Sequence, residues 1–583
     1  MKTYNNRATC FLISYPGYPF SPTSFMPDNG LASLAGNLHD AGHKARILDY
    51  GTTDLMRRLV PYKINQKLTA ILHGIEELTR EKKEKGSLST RNAIKLAWYF
   101  SQLKMFSHKL EKVRVKTEIE IAQEISAQVN QAENPFIGFK LWNGDGYSGS
   151  VRIAEELKRI LPHVSIFAGG PQVKFFKDFI FGETKVFDAL AIGDGEATIV
   201  PLAEASLSTH PLSDVPNIFY RSTEGTPLYT STRNIFNLNE LPFPIYDPGV
   251  YSSMEGDQKI NMIVVEDRRG CDNACNFCAH PSISGRNPRT KTPQRIVDEF
   301  EYSQKKYGIS NFRLGGSSTP GKSLTEIAEE IMRRDLHLNF TAFMRAKDAD
   351  TTTFSNLKEA GLYSLFIGIE SGSQGILDAM NKKVSKERIA EVIGAGKRAG
   401  IFMVGSLIYP APFDTADTRA ETVSFLTETQ PDSIPLQFLG VYPGTEYARH
   451  PERYNIEMLY PSTMDKMLAS LGLKPKPKFN DPEILRYLLE YKIRLLFPPR
   501  YWDPLPWKVN GLSYKQFAAE AQKLYEELKQ KEFLMSLTDP EALMAHLTGV
   551  TAKGLYNQTF FDLFTGNWRG MEDLIKKVNH ANK

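Results

Sequence analysis

Two runs of alternating short apolar strands and amphipathic helices constrain the fold of this chain most strongly. Such alternation is typical of parallel sheets that carry helices on their faces. The first run predicts a Rossmann-like, doubly wound α/β domain, and the second a partial (β/α)6 barrel of the TIM type. The strands of the first run are predicted at 9–14, 45–48, 136–141, 164–168 and 189–192, and those of the second at 261–265, 311–315, 339–344, 364–369, 401–408 and 433–439.

The segments outside these two runs complete the predicted domain organisation. Residues 54–133 are charged, with apolar residues three and four apart, so they predict a helical insertion with solvated charged faces. The C-terminal part shows helical patterns without strand alternation and predicts a helical cap that binds substrate. The predicted boundaries are 1–207 for the Rossmann-like domain with its insertion, 208–257 for an extended linker, 258–448 for the barrel and 449–583 for the cap.

The composition of the chain argues against several classes of protein. The net charge of +4 over 583 residues gives no case for a nucleic-acid partner. Four cysteines are too few for a disulfide framework. We find no run of 18 apolar residues and no signal sequence, so the sequence predicts no membrane span and a cytoplasmic location. The apolar stretch 495–507 is interpreted as core, or as the wall of a lipid or polyketide pocket.

Three of the four cysteines fall in one short loop. Cys271, Cys275 and Cys278 follow the first predicted barrel strand, at the end where such barrels place their chemistry. Thiolates are the ligands of iron–sulfur clusters, and three thiolates leave one iron of a [4Fe–4S] cluster open. A zinc site completed by His280 is the alternative that the spacing leaves open. Cys10 lies within a strand and is predicted to be an apolar core residue.

The C-x3-C-x2-C string, with Phe277 before its third cysteine, resembles the radical S-adenosylmethionine (SAM) superfamily. The resemblance continues through 312–317, 366–374 and 404–410, although Ala411-Pro412-Phe413 replaces the usual glycine-rich turn after the fifth strand. It implies that SAM binds the open iron. The SAM-binding residues it implies are Phe277, Gly315, Gly316, Ser317, Glu370, Ser371 and Gly405.

Glycines at the strand ends of the first run resemble those of the cobalamin-binding class of radical SAM enzymes. No D-x-H-x-x-G pattern follows the first strand, so the resemblance implies cobalt without a protein histidine below it. His39, His43 and His163 are the nearby alternatives, interpreted as surface or helix-end residues. The cobalamin-binding residues implied are Tyr15, Pro16, Gly17, Trp142, Asn143, Gly169, Gly170, Pro171, Gly193, Gly195 and Glu196.

The resemblance implies an enzyme with a [4Fe–4S] cluster, SAM and cobalamin, reduced by a flavodoxin- or ferredoxin-type donor. The implied outcome is a 5′-deoxyadenosyl radical that abstracts hydrogen from an unactivated carbon, followed by methyl transfer from methylcobalamin. Cyclisation, rearrangement or oxidation without methyl transfer is the first alternative, and a non-catalytic cobalamin or redox sensor the second. The substrate could be a small molecule, a lipid or a peptide.

Two further groups of residues are candidates for a role in this chemistry. Tyr409 and Glu446 lie at predicted barrel strand ends and are the candidate proton-transfer residues. The cations of 285–291 could meet an anionic substrate or a reductase, or could belong to a solvated loop.

Overall fold

The computed structural model describes residues 7–142, 144–442, 444–458 and 507–581. Its two large sheets carry helices on their faces, which confirms the α/β fold class. Every helix among the described residues is too short or too polar to cross a membrane.

The first sheet has the doubly wound topology that the sequence predicts. Its strands run in the order β2-β1-β3-β4-β5 and are all parallel. Buried side chains on both faces explain the continuous apolar runs in these strands. The strands are β1 (Thr9–Ser14), β2 (Lys44–Asp49), β3 (Pro135–Lys140), β4 (Ser165–Gly169) and β5 (Ala189–Ala191), and the covering helices are α1 (Asn29–Asp40), α5 (Asp145–Ile160), α6 (Pro171–Phe176), α7 (Ile180–Glu183) and α8 (Glu196–Ser206).

The same sheet continues into the segment that the sequence predicts as an extended linker. Strands β6 (Ile218–Arg221) and β7 (Pro227–Tyr229) add to its edge in antiparallel orientation, beside β5. Both strands are too short for side-chain periodicity to reveal them. They form because the edge of β5 offers unpaired backbone groups.

The insertion between β2 and β3 is helical, as predicted. It consists of α2 (Thr53–Leu59), α3 (Tyr62–Lys85) and α4 (Thr90–Val129). The end of α4 is anchored in the core of the first domain by Ile121, Ala122 and Ile125.

The second sheet forms the predicted partial barrel of six parallel strands. Pro435, which has no N–H group to donate, precedes the last strand, so that strand is only two residues long. The strands are β8 (Ile263–Val265), β11 (Asn311–Leu314), β12 (Asn339–Met344), β13 (Leu362–Glu370), β14 (Phe402–Ile408) and β15 (Leu436–Gln437), with a small hairpin of β9 (Arg268–Arg269) and β10 (Arg289–Thr290). The helices are α9 (His280–Ser284), α10 (Pro293–Tyr307), α11 (Gly321–Arg333), α12 (Phe354–Glu359), α13 (Gln374–Ala379), α14 (Lys386–Arg398) and α15 (Ala416–Thr429).

The C-terminal part is mainly helical where the structure describes it. The predicted pocket-or-core stretch 495–507 lies outside the described residues except for Trp507, which is buried. The elements are α16 (Glu446–Arg449), the antiparallel pair β16 (Ile456–Met458) and β17 (Trp507–Val509), and helices α17 (Tyr514–Gln530), α18 (Asp539–Thr548), α19 (Ala552–Thr565) and α20 (Trp568–His580).

Helix α18 closes the amino-terminal end of the barrel. Its first residue, Asp539, is fully buried and accepts hydrogen bonds from Arg313 Nε at 3.0 Å and Thr341 Oγ1 at 2.8 Å. Further along α18, His546 stacks on Tyr363 with ring centroids 4.5 Å apart. The C-terminal part therefore supports the barrel from the end opposite the cysteine loop.

Removing the Asp539 carboxylate is expected to destabilise the barrel, because Arg313 and Thr341 lose their buried partner. We expect Asp539→Ala to lower the free energy of unfolding by about 3 kcal/mol, the scale for breaking a buried ion pair. Chemical denaturation followed by circular dichroism measures the shift. Lys305→Ala is the control, since its pair with Glu301 is solvent-exposed and contributes about 0.5 kcal/mol or less. Equal shifts in the two variants would contradict the role of Asp539.

Candidate functional site

The three cysteines lie in a loop that leaves the barrel after β8 and returns through α9. Gly270, just before Cys271, has φ +86°, and a Cβ there would lie 2.9 Å from the carbonyl oxygen of Asn287. Only glycine fits this turn. The amide of Cys271 donates to the carbonyl of Gly285 at 3.0 Å, which closes the base of the loop.

The loop forms one wall of a cavity of 170 Å³ at the carboxyl ends of the barrel strands. All three cysteine side chains line it, so the structure brings the predicted ligands together in one place. Each thiolate of a [4Fe–4S] cluster binds a different iron, so three thiols around one cavity suit that cluster. Among the described residues, no three His, Cys, Asp or Glu side chains are close enough to hold a single metal ion.

Only some of the predicted SAM-binding residues line this cavity. Phe277, Ser317 and Glu370 do. The remaining residues, Gly315, Gly316, Ser371 and Gly405, are not among its lining residues. At Gly405, for example, a Cβ would lie 2.3 Å from Ile369, so this glycine allows close strand packing.

The cavity holds two cations that the sequence analysis did not single out. Lys382 Nζ lies 2.6 Å from Glu370 Oε1, and both side chains are buried. Arg345 donates one bond, from Nη2 to the carbonyl of Lys382 at 2.6 Å. Its Nε and Nη1 are buried without a hydrogen-bond partner among the described residues. The position of Arg345 directly after a barrel strand is the one sequence signal that could have marked it.

Burial and these cations act in opposite directions on the cysteines. Burial raises the pKa of Cys278 to about 11. It also raises the pKa of Cys275, although the charges of Lys382 and Arg345 lower it in part. The free thiols of Cys275 and Cys278 are therefore protonated at neutral pH, and metal binding must release their protons.

A second cavity lies in the first domain, between its sheet and helices α1 and α8. It has a volume of 210 Å³ and an apolar wall that includes Leu12, Leu34 and Phe167. A Cβ at Gly195 would come within 3.0 Å of Leu34, so a side chain at this glycine would crowd the wall. The glycines that line the cavity are Gly30, Gly138, Gly169, Gly170, Gly193 and Gly195.

Several predicted cobalamin-binding residues lie outside this cavity. The hydroxyl of Tyr15 donates to Glu118, on the other face of the sheet. Gly17 packs against the first turn of α5, where a Cβ would meet Asp145 at 2.9 Å. Pro16 contacts that same turn of α5, since a Cβ at Gly146 would lie 3.0 Å from the Pro16 carbonyl oxygen, and Pro171 is the first residue of α6.

Trp142 lies at the carboxyl edge of the sheet. Its indole donates to Ser14 Oγ at 2.9 Å, and the ammonium of Lys140 lies 4.2 Å from its ring centroid. Asn143 lies outside the described residues. Glu196 lines the cavity, but Arg269 and Ser33 both donate to its carboxylate.

The three alternative histidines lie at the amino edge of the sheet. His43 and His163 just precede β2 and β4, and His39 is in the last turn of α1. They are therefore remote from the carboxyl ends where the glycines gather.

The two candidate proton-transfer residues do not line the cysteine cavity. The Tyr409 phenol lies beside Arg419, which binds Glu520 of α17. Glu446 lines a different cavity of 510 Å³, on the other side of the cysteine loop.

The cations of 285–291 mostly have structural partners. Lys291 pairs with Glu299 at 2.6 Å, and Arg289 binds Asp194 of the first domain. Arg286 is exposed and borders the cavity that contains Glu446.

Comparison with known proteins identifies the barrel. Residues 265–426 match the model of the Radical SAM superfamily. An uncharacterized methyltransferase of Pyrococcus horikoshii is 27% identical over 51% of this chain and 65% of its own length. An anaerobic magnesium-protoporphyrin IX monomethyl ester cyclase of Rubrivivax gelatinosus is 25% identical over 48% and 52%. A bacteriochlorophyllide d C-8(2)-methyltransferase of Chlorobaculum tepidum is 26% identical over 47% and 64%. The chain thus spans between half and two thirds of these relatives.

The whole architecture has a solved counterpart. The radical SAM methyltransferase TsrM of Kitasatospora setae, solved with cobalamin and a [4Fe–4S] cluster bound, superposes with a TM-score of 0.62 at 14% identity. The superposition covers 99% of both chains, so the two proteins share the same overall fold.

The cysteine loop should control iron content directly. We expect Cys271→Ala, Cys275→Ala and Cys278→Ala each to lower the iron and sulfide retained after anaerobic reconstitution, because each variant lacks one thiolate ligand. Iron analysis and the visible absorbance of the cluster measure the loss. Cys10→Ala is the control, since Cys10 is buried in the first domain and should leave iron content unchanged. Full iron content in the loop variants would contradict the assignment.

Proposed function

We propose that this protein, whose barrel is a radical SAM domain, is a cobalamin-dependent enzyme that methylates an unactivated carbon of its substrate. One observation carries the proposal. Arg269, in the stem of the cysteine loop, forms an ion pair with Glu196, which lines the glycine-lined cavity. A single chain thus offers a thiol-lined cavity and a glycine-lined cavity whose rims are joined.

The cysteine cavity suits a cluster together with SAM. When bound and reduced, the cluster supplies the electron that cleaves SAM into methionine and a 5′-deoxyadenosyl radical. Cys271, Cys275 and Cys278 would hold three irons. Arg345 has two buried nitrogens, Nε and Nη1, without a hydrogen-bond partner in the part of the chain that the structure describes, and it would bind the carboxylate of SAM. Phe343 and other apolar residues of the wall would exclude water.

The glycine-lined cavity suits the aromatic base of a cobalamin nucleotide tail. Its wall is mostly apolar, and its glycines permit close approach of the backbone. When bound, methylcobalamin supplies the methyl group that is transferred. Trp142 would lie near the lower face of the corrin, because it stands at the carboxyl edge of the sheet.

The proposed partners follow from this chemistry. A flavodoxin- or ferredoxin-type protein would supply single electrons, which favours a cytoplasmic reaction. The substrate would be a small molecule, a lipid or a peptide, and the helical insertion and the C-terminal part would select it.

Filling the glycine-lined cavity should remove cobalamin and leave the cluster intact. We expect Gly138→Leu to weaken cobalamin retention about tenfold or more, because the new side chain occupies the place of the base. Absorbance after gel filtration measures cobalamin, and iron analysis measures the cluster. Gly182→Leu is the matched control, since a Cβ at Gly182 meets no atom within 4 Å. Equal cobalamin retention in both variants would argue against this cavity as the binding site.

Methyl-labelled SAM tests the proposed function itself. With the reconstituted protein, hydroxocobalamin and a reductant, we expect cluster-dependent 5′-deoxyadenosine and labelled methylcobalamin. The variant that lacks all three loop cysteines should give no 5′-deoxyadenosine. Absence of both products in the wild type would contradict the proposal and favour a non-catalytic sensor.

The match to the anaerobic cyclase favours a second candidate, ring formation, rearrangement or oxidation without methyl transfer. It would use the same cofactors and the same two cavities. Cluster-dependent 5′-deoxyadenosine without label on the bound cobalamin would favour this candidate over methylation.

A further inference from the structure

An ion-pair network joins the stem of the cysteine loop to the first domain. The stem is the hairpin of β9 and β10, which pair in antiparallel register with Arg269 opposite Arg289. Arg269 is separated from Cys271 by a single residue. Each strand of the stem is only two residues long, so its own ladder fixes the orientation of the loop weakly.

Asp194, in the loop between β5 and α8, binds both sides of this stem. Its Oδ1 accepts from Arg269 Nη1 at 3.2 Å and from Arg289 Nη2 at 3.3 Å. Its Oδ2 accepts from Arg289 Nη1 and from the amide of Ile235, the latter at 2.8 Å. One carboxylate thus bridges the two arginines of the hairpin.

Two further carboxylates complete the network. Glu196 accepts from Arg269 Nη2 at 2.7 Å and from Ser33 Oγ of α1 at 2.9 Å. Glu266, just before the stem, accepts from Arg269 Nε at 2.8 Å. Every nitrogen of the Arg269 guanidinium therefore has a carboxylate partner.

The network is largely withdrawn from solvent. The Asp194 side chain is 9% exposed and that of Arg269 is 12% exposed. Burial opposes the charge on Asp194, but the hydrogen bonds from Arg289 and the Ile235 amide, together with the charges of Arg269 and Arg289, outweigh it and hold the pKa of Asp194 below its ordinary value. Buried ion pairs add little net stability, yet losing one partner is costly and their geometry is restrictive. Such a network suits a positional role.

Asp194 also lies between two residues that border the glycine-lined cavity, Gly193 and Gly195. We infer that Asp194 is a positioning residue that fixes the stem of the cysteine loop against the loop bordering this cavity. The inference rests on the proposed function, because it gives the network the task of aligning SAM with the corrin. A small misalignment between reacting groups slows a reaction strongly.

The test compares two rates, that of 5′-deoxyadenosine formation at the cluster and that of cobalamin methylation by SAM. Formation of 5′-deoxyadenosine needs only the cluster and SAM, whereas methylation of bound cobalamin by SAM requires alignment of the two domains. In Asp194→Asn we expect iron, cobalamin and deoxyadenosine formation near wild type, and cobalamin methylation about tenfold slower or more. Asp194→Glu, which keeps the charge, should recover part of that rate.

Asp188→Asn is the matched control. Asp188 also accepts from a backbone amide, that of Ile166, and pairs with Lys158, but all three residues lie within the first domain. We expect it to leave both rates unchanged. An equal loss of both rates in Asp194→Asn, or a methylation rate like that of the control, would overturn the inference and leave the proposed function standing.

Failure of the proposed function would look different, since the wild type itself would then show no methylation of cobalamin. In that case, amide hydrogen exchange measured on the protein without cofactors tests the positioning role of Asp194. We expect faster amide exchange across 268–290 in Asp194→Asn than in Asp188→Asn. Equal exchange would overturn the inference.

Discussion

The arrangement of this protein depends on carboxylates of the first domain that hold cations of the barrel. Asp194 and Glu196 bind the arginines of the loop stem, and Asp49 binds Lys259, which precedes the barrel, at 2.5 Å. Asp49 also accepts from the hydroxyl of Tyr251 at 2.5 Å. These carboxylates lie at the carboxyl ends of the strands of the first sheet, which is where a doubly wound fold binds its ligand. Through Asp194 and Glu196, the ligand edge of the first domain is thereby joined to the ligand edge of the barrel.

The two cavities differ in the chemistry of their lining residues, and each lining suits the ligand proposed for it. The barrel cavity brings thiols and cations together, and burial keeps the thiol of Cys278 protonated until metal replaces its proton. The cavity of the first domain is mainly apolar and obtains its space from glycines. Helix α18 supports the barrel from the opposite end through the pair of Asp539 with Arg313. Binding chemistry and structural support therefore occupy opposite ends of the barrel.

The sequence predicted those features that are local along the chain. Apolar periodicity located the parallel strands of both sheets, because most side chains of these strands are buried. The cysteine spacing located the loop at the end of β8. What it could not predict depends on contacts between distant segments. Glu196 was predicted to bind cobalamin, but its partner is Arg269, 73 residues away. The sequence pattern did not mark Arg345 as a site residue, because only folding brings it beside the cysteines.

We propose that one chain holds a cluster and a corrin close together, with the rims of the cysteine cavity and the glycine-lined cavity joined by ion pairs. Pulsed electron paramagnetic resonance measures this most directly, on wild-type protein that carries a reduced cluster and cob(II)alamin. We expect a strong magnetic interaction between the cluster and the cobalt, with a single, narrow distribution of distances between them. Two centres that show no interaction, or a broad distribution of distances, would contradict it.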